Sequence, residues 1–448
     1  MSSMKNICLQ TRRTELLNAL DGQTAIIPAG LPVSRNFPAN QYPFRASSHF
    51  LHCVGLNLPG AILVLDDQGA CLYVQRPDAD DALWHGARPT VREWSQALDI
   101  KTGYLDELVY HPKSMVLPAM DGQSNALLSA ELNRPISGGR NDPVDDPLAQ
   151  AMVASRLCHD QWAIDQLSRA AQVTAEAHEL ARDRLHAGLS CQAVWAAMLS
   201  YFQDHGMSYA YNPIITPAGE VLHQHDLRAQ LRTGDMVLLD VGAETESGYA
   251  ADVTRTWPVG QTMSPTQSAI HAVVSAAHKA AIELIKPGVE YRAIHRQACL
   301  TLVRGLCDLG LLIGNPMDLV EDNMHTLFFP HGVGHLLGLD VHDMEDLGDR
   351  AGYAPGRRRS ELFGWSFLRL DRPLEHGMLV TVEPGFYQVD DLKRRFLNHP
   401  YKAQFVNWSE LDAYSDVRGV RIEDDILVTA DGWCNLSAPA DDARMVKR

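Results

Sequence analysis

Residues 236–256 read MVLLDVGAETESGYAADVTRT, a stretch that predicts two strands joined by a turn. The apolar run from Met236 ends at Asp240, and Gly242 allows another part of the chain to approach closely. Asp252 follows 12 positions after Asp240, so the returning strand should place the two carboxylates side by side. Either aspartate alone is typical of a turn, but the pair indicates a metal site.

Three further segments carry metal-binding side chains. Residues 328–343, FFPHGVGHLLGLDVHD, hold His331, His335 and His342, Glu383 follows the apolar run 378–382, and Glu423 lies in VRIEDDILV at 420–428. Four buried carboxylates cannot all stay ionised without a cation, and two divalent ions would cancel their charge. Carboxylates suit Mn²⁺, Co²⁺, Zn²⁺ or Mg²⁺, and an imidazole favours the transition ions. The pattern predicts a two-metal hydrolase in which one histidine binds metal and the others contact substrate.

The segment around Glu423 also predicts how that ligand is held. Strand alternation puts Arg421 and Glu423 on one face, so Arg421 should hold a metal-bound carboxylate by charge-assisted hydrogen bonds. Such a residue supports the metal site from behind the ligands. Asp424 and Asp425 are expected on the surface.

Composition narrows the class of protein. The chain has 448 residues, of which 46% are apolar and 21% charged, and a chain of this length predicts two domains. A net charge of −16 argues against a nucleic-acid partner. Eight cysteines without paired spacing are expected to be reduced. The N-terminus lacks the apolar core of a signal peptide and no apolar run could span a bilayer, so a cytoplasmic location without membrane contact is expected.

The chain is expected to divide near residue 155. Residues 61–76, AILVLDDQGACLYVQR, predict a β-hairpin, and the Pro-, Gly- and Asp-rich segment 135–148 predicts the end of the first domain. A long helix is predicted from Trp162 to Leu185. The expected domains are 1–155 and 156–448.

The second part of the chain repeats itself at an offset of 100 positions. Ala177-His178 matches Ala277-His278, and Gly188 matches Gly288. Each glycine is expected to cap the C-terminus of a helix, and Ser264 to cap the N-terminus of the second copy's first helix. The repeat predicts a pseudo-two-fold α/β domain whose metal ligands come from both halves.

Together these segments resemble the pita-bread metallopeptidases, the family of prolidase, aminopeptidase P and methionine aminopeptidase. The resemblance runs from about residue 160 to 430, and YPFRASSHFLHCVGLNLPGAILVLD at 42–66 resembles the N-terminal domain of prolidase and aminopeptidase P. It implies an α/β (α+β) chain with a smaller N-terminal α/β domain before a pita-bread catalytic domain. It also implies a homodimer, with the N-terminal domain serving in dimer contact and substrate access.

The resemblance assigns a role to each site residue. Asp240 would chelate one metal ion, Asp252 and Glu423 would bridge both, and His335 and Glu383 would bind the second. A hydroxide held between the ions would attack the scissile carbonyl, and Glu383 would carry the proton to the leaving nitrogen. His331 and His342 would assist catalysis, and the substrate-contacting side chains would be His223, His331, His342 and Arg369. The cofactor would be two divalent ions per chain, Mn²⁺ first, with Zn²⁺ or Co²⁺ as alternatives.

Two features favour prolidase, which hydrolyses Xaa-Pro dipeptides, over aminopeptidase P. Arg369, 14 positions before Glu383, matches the arginine that binds the free carboxylate of the dipeptide in prolidases. The long stretch between Glu383 and Glu423 resembles the prolidase insertion. Aminopeptidase P, acting on Xaa-Pro-Yaa peptides, is the alternative, followed by a non-catalytic peptide-binding protein. A metal-free creatinase-like hydrolase is disfavoured because every ligand position carries a competent side chain.

Two departures from the family pattern concern loop geometry. The interval from Asp240 to Asp252 is one residue longer than usual, and the turn at Glu244 to Gly248 should absorb it. Arg418 stands where a glycine often precedes GVRIED. Neither departure removes a ligand.

Overall fold

The computed structural model describes residues 2–78, 80–138, 142–260 and 262–438. The chain forms two compact units, Met1–Trp162 with Met344–Ala351, and Ala163–Asp343 with Gly352–Arg448. Residues 139–141, within the segment predicted to end the first domain, lie outside the described residues. Within the described ranges, no helix combines the length and the apolar character that a membrane span requires.

The first unit is built on a mixed sheet of five strands. The strands of the whole unit are β1 (Ala25–Pro28), β2 (Ser34–Phe37), β3 (Asn40–Gln41), β4 (Ile62–Asp66), β5 (Gly69–Val74), β6 (Lys101–Tyr104) and β7 (Met115–Val116), of which β2 and β3 form a separate pair. Its helices are α1 (Ser2–Leu20), α2 (Ser48–Val54), α3 (Asp81–His85), α4 (Val91–Leu98), α5 (Gly122–Leu132) and α6 (Asp146–Arg156). The sheet order is β6-β5-β4-β1-β7. The hairpin predicted at 61–76 is confirmed, since β4 and β5 pair antiparallel with Asp66 opposite Gly69.

One core of this unit lies between the sheet and α5. Ile26, Val64 and Val116 of the sheet are buried with Leu128 and Leu132 of α5. Side chains alternate between the two faces of a strand, so these positions give the sheet one apolar face that the helix covers. The predicted roles of this unit in dimer contact and substrate access stay predictions.

The second unit contains two helix pairs, each followed by antiparallel strands. Apart from α12 (Asp349–Gly352), which lies mostly in the Met344–Ala351 segment of the first unit, the helices of the second unit are α7 (Gln161–Arg184), α8 (Cys191–Asp204), α9 (Pro265–Ile282), α10 (Tyr291–Asp308), α11 (Pro316–Glu321), α13 (Asp390–Leu397) and α14 (Trp408–Ala413). Its strands are β8 (Ser208–Tyr209), β9 (Ile214–Thr216), β10 (Met236–Asp240), β11 (Ala243–Glu244), β12 (Thr254–Pro258), β13 (Leu379–Val382), β14 (Gly385–Tyr387), β15 (Gly419–Arg421), β16 (Asp424–Val428) and β17 (Trp433–Asn435). The sheet orders are β12-β10-β9 and β13-β16-β17 in the two repeats, with smaller pairs β11-β8 and β14-β15. The predicted long helix corresponds to α7.

The two glycines matched in the repeat are not helix caps, so that prediction is wrong. Both α7 and α9 end before them, and Gly188 and Gly288 have φ angles of +87° and +84°. Gly188 donates its N–H to the carbonyl of Leu231, and Gly288 donates to that of Leu374, both at 2.8 Å. The glycines therefore tie each helix pair to the chain that leads into the following strands, and the repeat extends beyond the helices.

The start of α9 agrees with the sequence. Ser264 Oγ accepts from the N–H of Gln267 at 3.1 Å, and the Gln267 side chain accepts from the N–H of Ser264 at 3.0 Å. Pro265 occupies the first helical position, where a missing N–H leaves no intrahelical bond unmade. This reciprocal capping fixes where the second helix pair begins.

The strand that carries the first carboxylate separates core from site. Val237, Leu239 and Val241 lie in the core with Trp195 and Phe202 of α8. Because neighbouring residues of a strand face opposite sides, Asp240 points away from this core. The core thus fixes the direction of the carboxylate.

Candidate metal centre

One cavity of about 640 Å³ in the second unit collects every site residue named from the sequence. Its lining includes Asp240, Asp252, His335, Glu383, Glu423, His223, His331, His342, Arg369 and Arg421. Apolar side chains, among them Ile214, Phe363, Phe367, Val389 and Leu392, line it as well. The arrangement combines clustered charge with apolar surface, as is usual in small-molecule sites.

The two aspartates meet as the hairpin pattern predicts. Strands β10 and β12 pair antiparallel with Asp240 opposite Thr254, two residues beyond Asp252. Gly242 is required for this approach, since a Cβ there would lie 1.8 Å from the carbonyl oxygen of Ala251. The segment between the two aspartates contains a turn closed by the hydrogen bond from the N–H of Gly248 to the carbonyl of Thr245, at 2.8 Å.

His335 and Glu383 are brought together by backbone pairing. Glu383 donates its N–H to Val333 at 2.7 Å, and Thr381 donates to the carbonyl of His335 at 3.0 Å, so residues 333–335 run beside β13. His335 Nδ1 lies 3.0 Å from the Leu336 carbonyl, which assigns the ring proton to Nδ1. His335 Nε2 then faces Asp252 Oδ2 at 3.4 Å and Glu383 Oε1 at 3.9 Å.

Three of the predicted ligands form a compact cluster. One ligand atom each from Asp252, His335 and Glu423 lies within 4.8 Å of the other two, and all three residues are buried. Glu423 Oε2 accepts from Thr254 Oγ1 at 2.7 Å, and Asp252 Oδ1 accepts from the Tyr211 hydroxyl at 2.6 Å. These hydrogen bonds leave the remaining carboxylate oxygens directed at a shared space.

The electrostatics of the cluster call for a cation. Burial raises the pKa of Glu383 to about 7, and burial with Asp252 close by raises the pKa of Glu423 well above its ordinary value. Burial also raises the pKa of Asp240, against the opposing effect of Arg421. Asp240 Oδ1 has no hydrogen-bond partner within the described part of the chain. An anionic group of oxygen donors with one imidazole fits divalent metal ions, which would replace the protons that the carboxylates otherwise hold.

Arg421 is bonded to one of the candidate ligands and to two neighbouring side chains. Its guanidinium donates to Asp240 Oδ2, to Thr254 Oγ1 at 3.1 Å and to the Tyr387 hydroxyl at 3.0 Å. The planar fork of an arginine serves several acceptors at once, so one buried side chain orients several groups of the site.

Asp424 and Asp425 are not surface residues, and that prediction is wrong. They are only 6% and 1% exposed. Their strand, β16, lies between β13 and β17, so the sheet covers it on both edges. Asp424 pairs with Arg255, and Asp425 accepts from the N–H of Asp252 at 3.2 Å. The second aspartate thus fixes the backbone of a predicted ligand.

The predicted substrate histidines differ in their surroundings. His331 Nε2 lies 2.9 Å from the Tyr387 hydroxyl, and burial lowers the pKa of His331 to about 3. His342 packs edge-on against His335 with ring centroids 4.3 Å apart. His223 is an exposed lining residue of the cavity. Arg369 is half-buried in the lining.

Sequence reasoning missed two tyrosines and a threonine of the site. Tyr211 and Tyr387 carry no local pattern that separates them from core residues. Thr254 was open to prediction, since it stands two positions after Asp252 and strand alternation places both on one face.

Two known protein families match parts of this chain. The description "Metallopeptidase family M24" matches residues 165–430, and "Aminopeptidase P, N-terminal domain" matches residues 9–119. The predicted fold is confirmed, namely a mixed α/β chain with an N-terminal domain of the aminopeptidase P type and a C-terminal pita-bread domain. The five carboxylate and histidine positions all lie inside the M24 match.

Similar proteins agree with this assignment over nearly the whole chain. Xaa-Pro aminopeptidase 2 of Streptomyces coelicolor is 30% identical, covering 95% of this chain and 87% of its own. Xaa-Pro aminopeptidase of Escherichia coli is 29% identical, with coverages of 98% and 96%. The solved structure of proline aminopeptidase P II from Yersinia pestis has a TM-score of 0.78 and 29% identity, covering 98% of this chain and 97% of its own.

Proposed function

Since this chain belongs to metallopeptidase family M24, we propose that it is an Xaa-Pro aminopeptidase, releasing the N-terminal residue from Xaa-Pro-Yaa peptides. The observation that carries the proposal is the convergence of five ligand side chains in one cavity of the M24 region. Similarity to Xaa-Pro aminopeptidases through both parts of the chain supports this substrate better than the dipeptide favoured from the sequence.

The proposed cofactor is a pair of divalent metal ions. The five ligands would be Asp240, Asp252, His335, Glu383 and Glu423, with Mn²⁺ as the first choice and Zn²⁺ or Co²⁺ as alternatives. When bound, the ions would polarise a carbonyl group and lower the pKa of water.

The chain's own residues would orient the substrate and move its protons. Glu383 is the proposed proton carrier to the leaving nitrogen, and its Oε2 lies 3.8 Å from His331 Nδ1. The ring of His331 is fixed by contacts to Gly332 and Tyr387 at 2.8 and 2.9 Å, so it can contact substrate in one orientation. His342 and the exposed His223 are the other proposed contacts. The apolar lining suits a proline ring, because it removes that ring from water.

Arg369 favours a second candidate function, hydrolysis of Xaa-Pro dipeptides. Arg369 lines the same cavity as the proposed ligands. A free carboxylate after proline would offer it two charged acceptors, whereas the amide of a longer peptide offers one neutral carbonyl oxygen. The two candidates therefore differ in what Arg369 binds.

The deciding experiment compares initial rates of cleavage of an Xaa-Pro dipeptide and an Xaa-Pro-Yaa tripeptide, with added Mn²⁺ and after chelation. We expect metal-dependent cleavage of the tripeptide. Cleavage of the dipeptide alone would establish a dipeptidase, and cleavage of neither would favour a peptide-binding protein.

An arginine variant sharpens this comparison. Arg369→Met should raise KM for the dipeptide only if a free carboxylate is the natural ligand of this side chain. Arg358→Met, which alters an exposed arginine 11 positions earlier, is the matched control. If, for each peptide, the KM of Arg369→Met equals the KM of Arg358→Met, Arg369 does not bind the substrate.

A further inference from the structure

A second group of metal-binding side chains lies apart from the five proposed ligands. His295 and Cys299 stand four positions apart on α10, so they share one face of that helix. His325 belongs to the short 3₁₀ helix Met324–Leu327. One ligand atom of each lies within 4.8 Å of the other two, and all three residues are buried.

The protein leaves the polar atoms of this group poorly satisfied. Cys299 Sγ contacts His295 Nε2 at 3.6 Å. His295 Nδ1 and both ring nitrogens of His325 have no hydrogen-bond partner among residues 2–78, 80–138, 142–260 and 262–438. A neutral imidazole carries one donor and one acceptor, and burying either without a partner is destabilising because its hydrogen bond to water is not replaced. Two neighbouring histidines in this state are unfavourable in a protein core.

The surroundings offer apolar packing instead of alternative polar partners. The ring of His295 lies edge-on to Trp365 with centroids 4.7 Å apart and 5.7 Å from the centroid of Phe329. Burial lowers the pKa of His295 to about 4 and that of His325 to about 3, so both imidazoles are neutral at pH 7. Neutral imidazole is the form that binds metal.

The distance between two of the three ligand atoms matches a tetrahedral site. With a Zn–N distance of about 2.05 Å and a Zn–S distance of about 2.3 Å, two tetrahedral ligand atoms lie about 3.6 Å apart. The distance between Cys299 Sγ and His295 Nε2 is also 3.6 Å. His325, whose ligand atom lies within 4.8 Å of the other two, would complete three protein ligands and leave the fourth position for water.

We propose that His295, Cys299 and His325 bind a zinc ion, separate from the two-ion site of the peptidase cavity. Binding would form one sulfur–zinc and two nitrogen–zinc bonds, and the thiol proton would leave to solvent. A thiolate with two imidazoles selects zinc over Mn²⁺ or Mg²⁺, which favour oxygen ligands. The two sites would thus differ in metal preference.

The zinc would brace the segment that carries a proposed substrate contact. Phe329 packs between His295, at 5.7 Å, and His331, at 4.8 Å, measured between ring centroids. A zinc ion that joins α10 to His325 would fix the start of the segment 325–331, which carries Phe329 and His331. The inferred role is structural support of the cavity wall, without contact with substrate.

Cobalt substitution tests the site without using peptidase activity. A thiolate bound to Co²⁺ gives an intense near-ultraviolet charge-transfer band, which carboxylate and imidazole ligands do not give. We expect the full-length protein loaded with Co²⁺ to show this band, and an excess of Zn²⁺, but not of Mn²⁺, to remove it. Failure of the peptidase proposal would leave this signal unchanged, so the two proposals fail separately.

Two cysteine variants locate the signal. Cys299→Ser should abolish the band, whereas Cys307→Ser, which alters the half-buried cysteine near the end of the same helix, should retain it. No band in the wild-type protein at excess Co²⁺ would overturn the proposal, as would a band that persists in Cys299→Ser. The zinc titration uses only the wild-type protein. It therefore tests the proposal even if Cys299→Ser does not fold.

Discussion

Replacing Gly242 by alanine should inactivate the protein by separating the two carboxylates that its hairpin brings together. The φ angle of Gly242 lies outside the left-handed region, so the constraint is one of space. An added Cβ would lie 1.8 Å from the carbonyl oxygen of Ala251 and 2.9 Å from Tyr211 Cε1. Ala251 precedes Asp252, and the Tyr211 hydroxyl hydrogen-bonds to the Asp252 carboxylate, so both clashes press on the same predicted ligand.

The size of the effect follows from the overlap. Non-bonded heavy atoms pack favourably at about 3.5 Å, so the hairpin would have to open by more than roughly 1 Å. Misplacing reacting groups by about 1 Å costs on the order of 100-fold in rate. Overpacking a buried site also costs about 1–3 kcal/mol in the free energy of unfolding. We therefore expect kcat/KM to fall by about 100-fold or more, even at saturating Mn²⁺.

Gly432→Ala is the matched control for this substitution. A Cβ at Gly432 would meet Thr429 Oγ1 at 4.0 Å, an ordinary contact, so the free energy of unfolding should change by less than about 0.5 kcal/mol. Both variants are compared by tripeptide cleavage, bound metal per chain and urea unfolding. Equal activity and metal content in the two variants would refute the argument that Gly242 sets the distance between the aspartates.

Three further predictions concern metal binding and stability. Asp252→Asn should abolish metal-dependent cleavage while leaving the circular dichroism spectrum unchanged, and full activity would contradict the two-metal assignment. Arg421→Lys should weaken metal binding by about 10–100-fold in chelator competition, because one ammonium cannot make the three side-chain hydrogen bonds of the guanidinium, and unchanged affinity would contradict its supporting role. Burial, with Arg255 nearby, lowers the pKa of His178 to about 3, so its contribution to stability is complete above the unfolded pKa and is lost as pH falls towards 3. Urea unfolding of the chelated protein should show a loss of roughly 2 kcal/mol between pH 6.5 and 5 from this group, absent in His178→Gln, and an equal pH slope in both would contradict it.

The features predicted correctly from sequence are those decided by neighbouring residues. The hairpin at 61–76, the cap at Ser264 and the return of Asp252 beside Asp240 each depend on a few consecutive side chains. Turn and cap preferences act over a few residues, so a single sequence contains them. The same holds for carboxylates at strand ends, which is why the predicted ligands line one cavity.

The features predicted wrongly depend on what packs against a segment. Asp424 and Asp425 look like a solvated pair until β13 and β17 are known to flank their strand. Gly188 and Gly288 look like helix caps until the hydrogen bonds to Leu231 and Leu374 are seen. The carbonyl partners of the two glycines lie 43 and 86 positions away along the chain, where no local pattern indicates them.

The two repeats are connected by hydrogen bonds within the candidate metal site. Arg421 of the second repeat donates to Asp240 of the first, and Thr254 of the first donates to Glu423 of the second at 2.7 Å. Each repeat therefore supplies both ligands and the groups that orient the other repeat's ligands. Neither half could hold its carboxylates in place alone, because burial without the opposite partner would leave them unpaired. Each sequence motif alone is therefore weak evidence for a metal site, and only the full set of motifs identifies it.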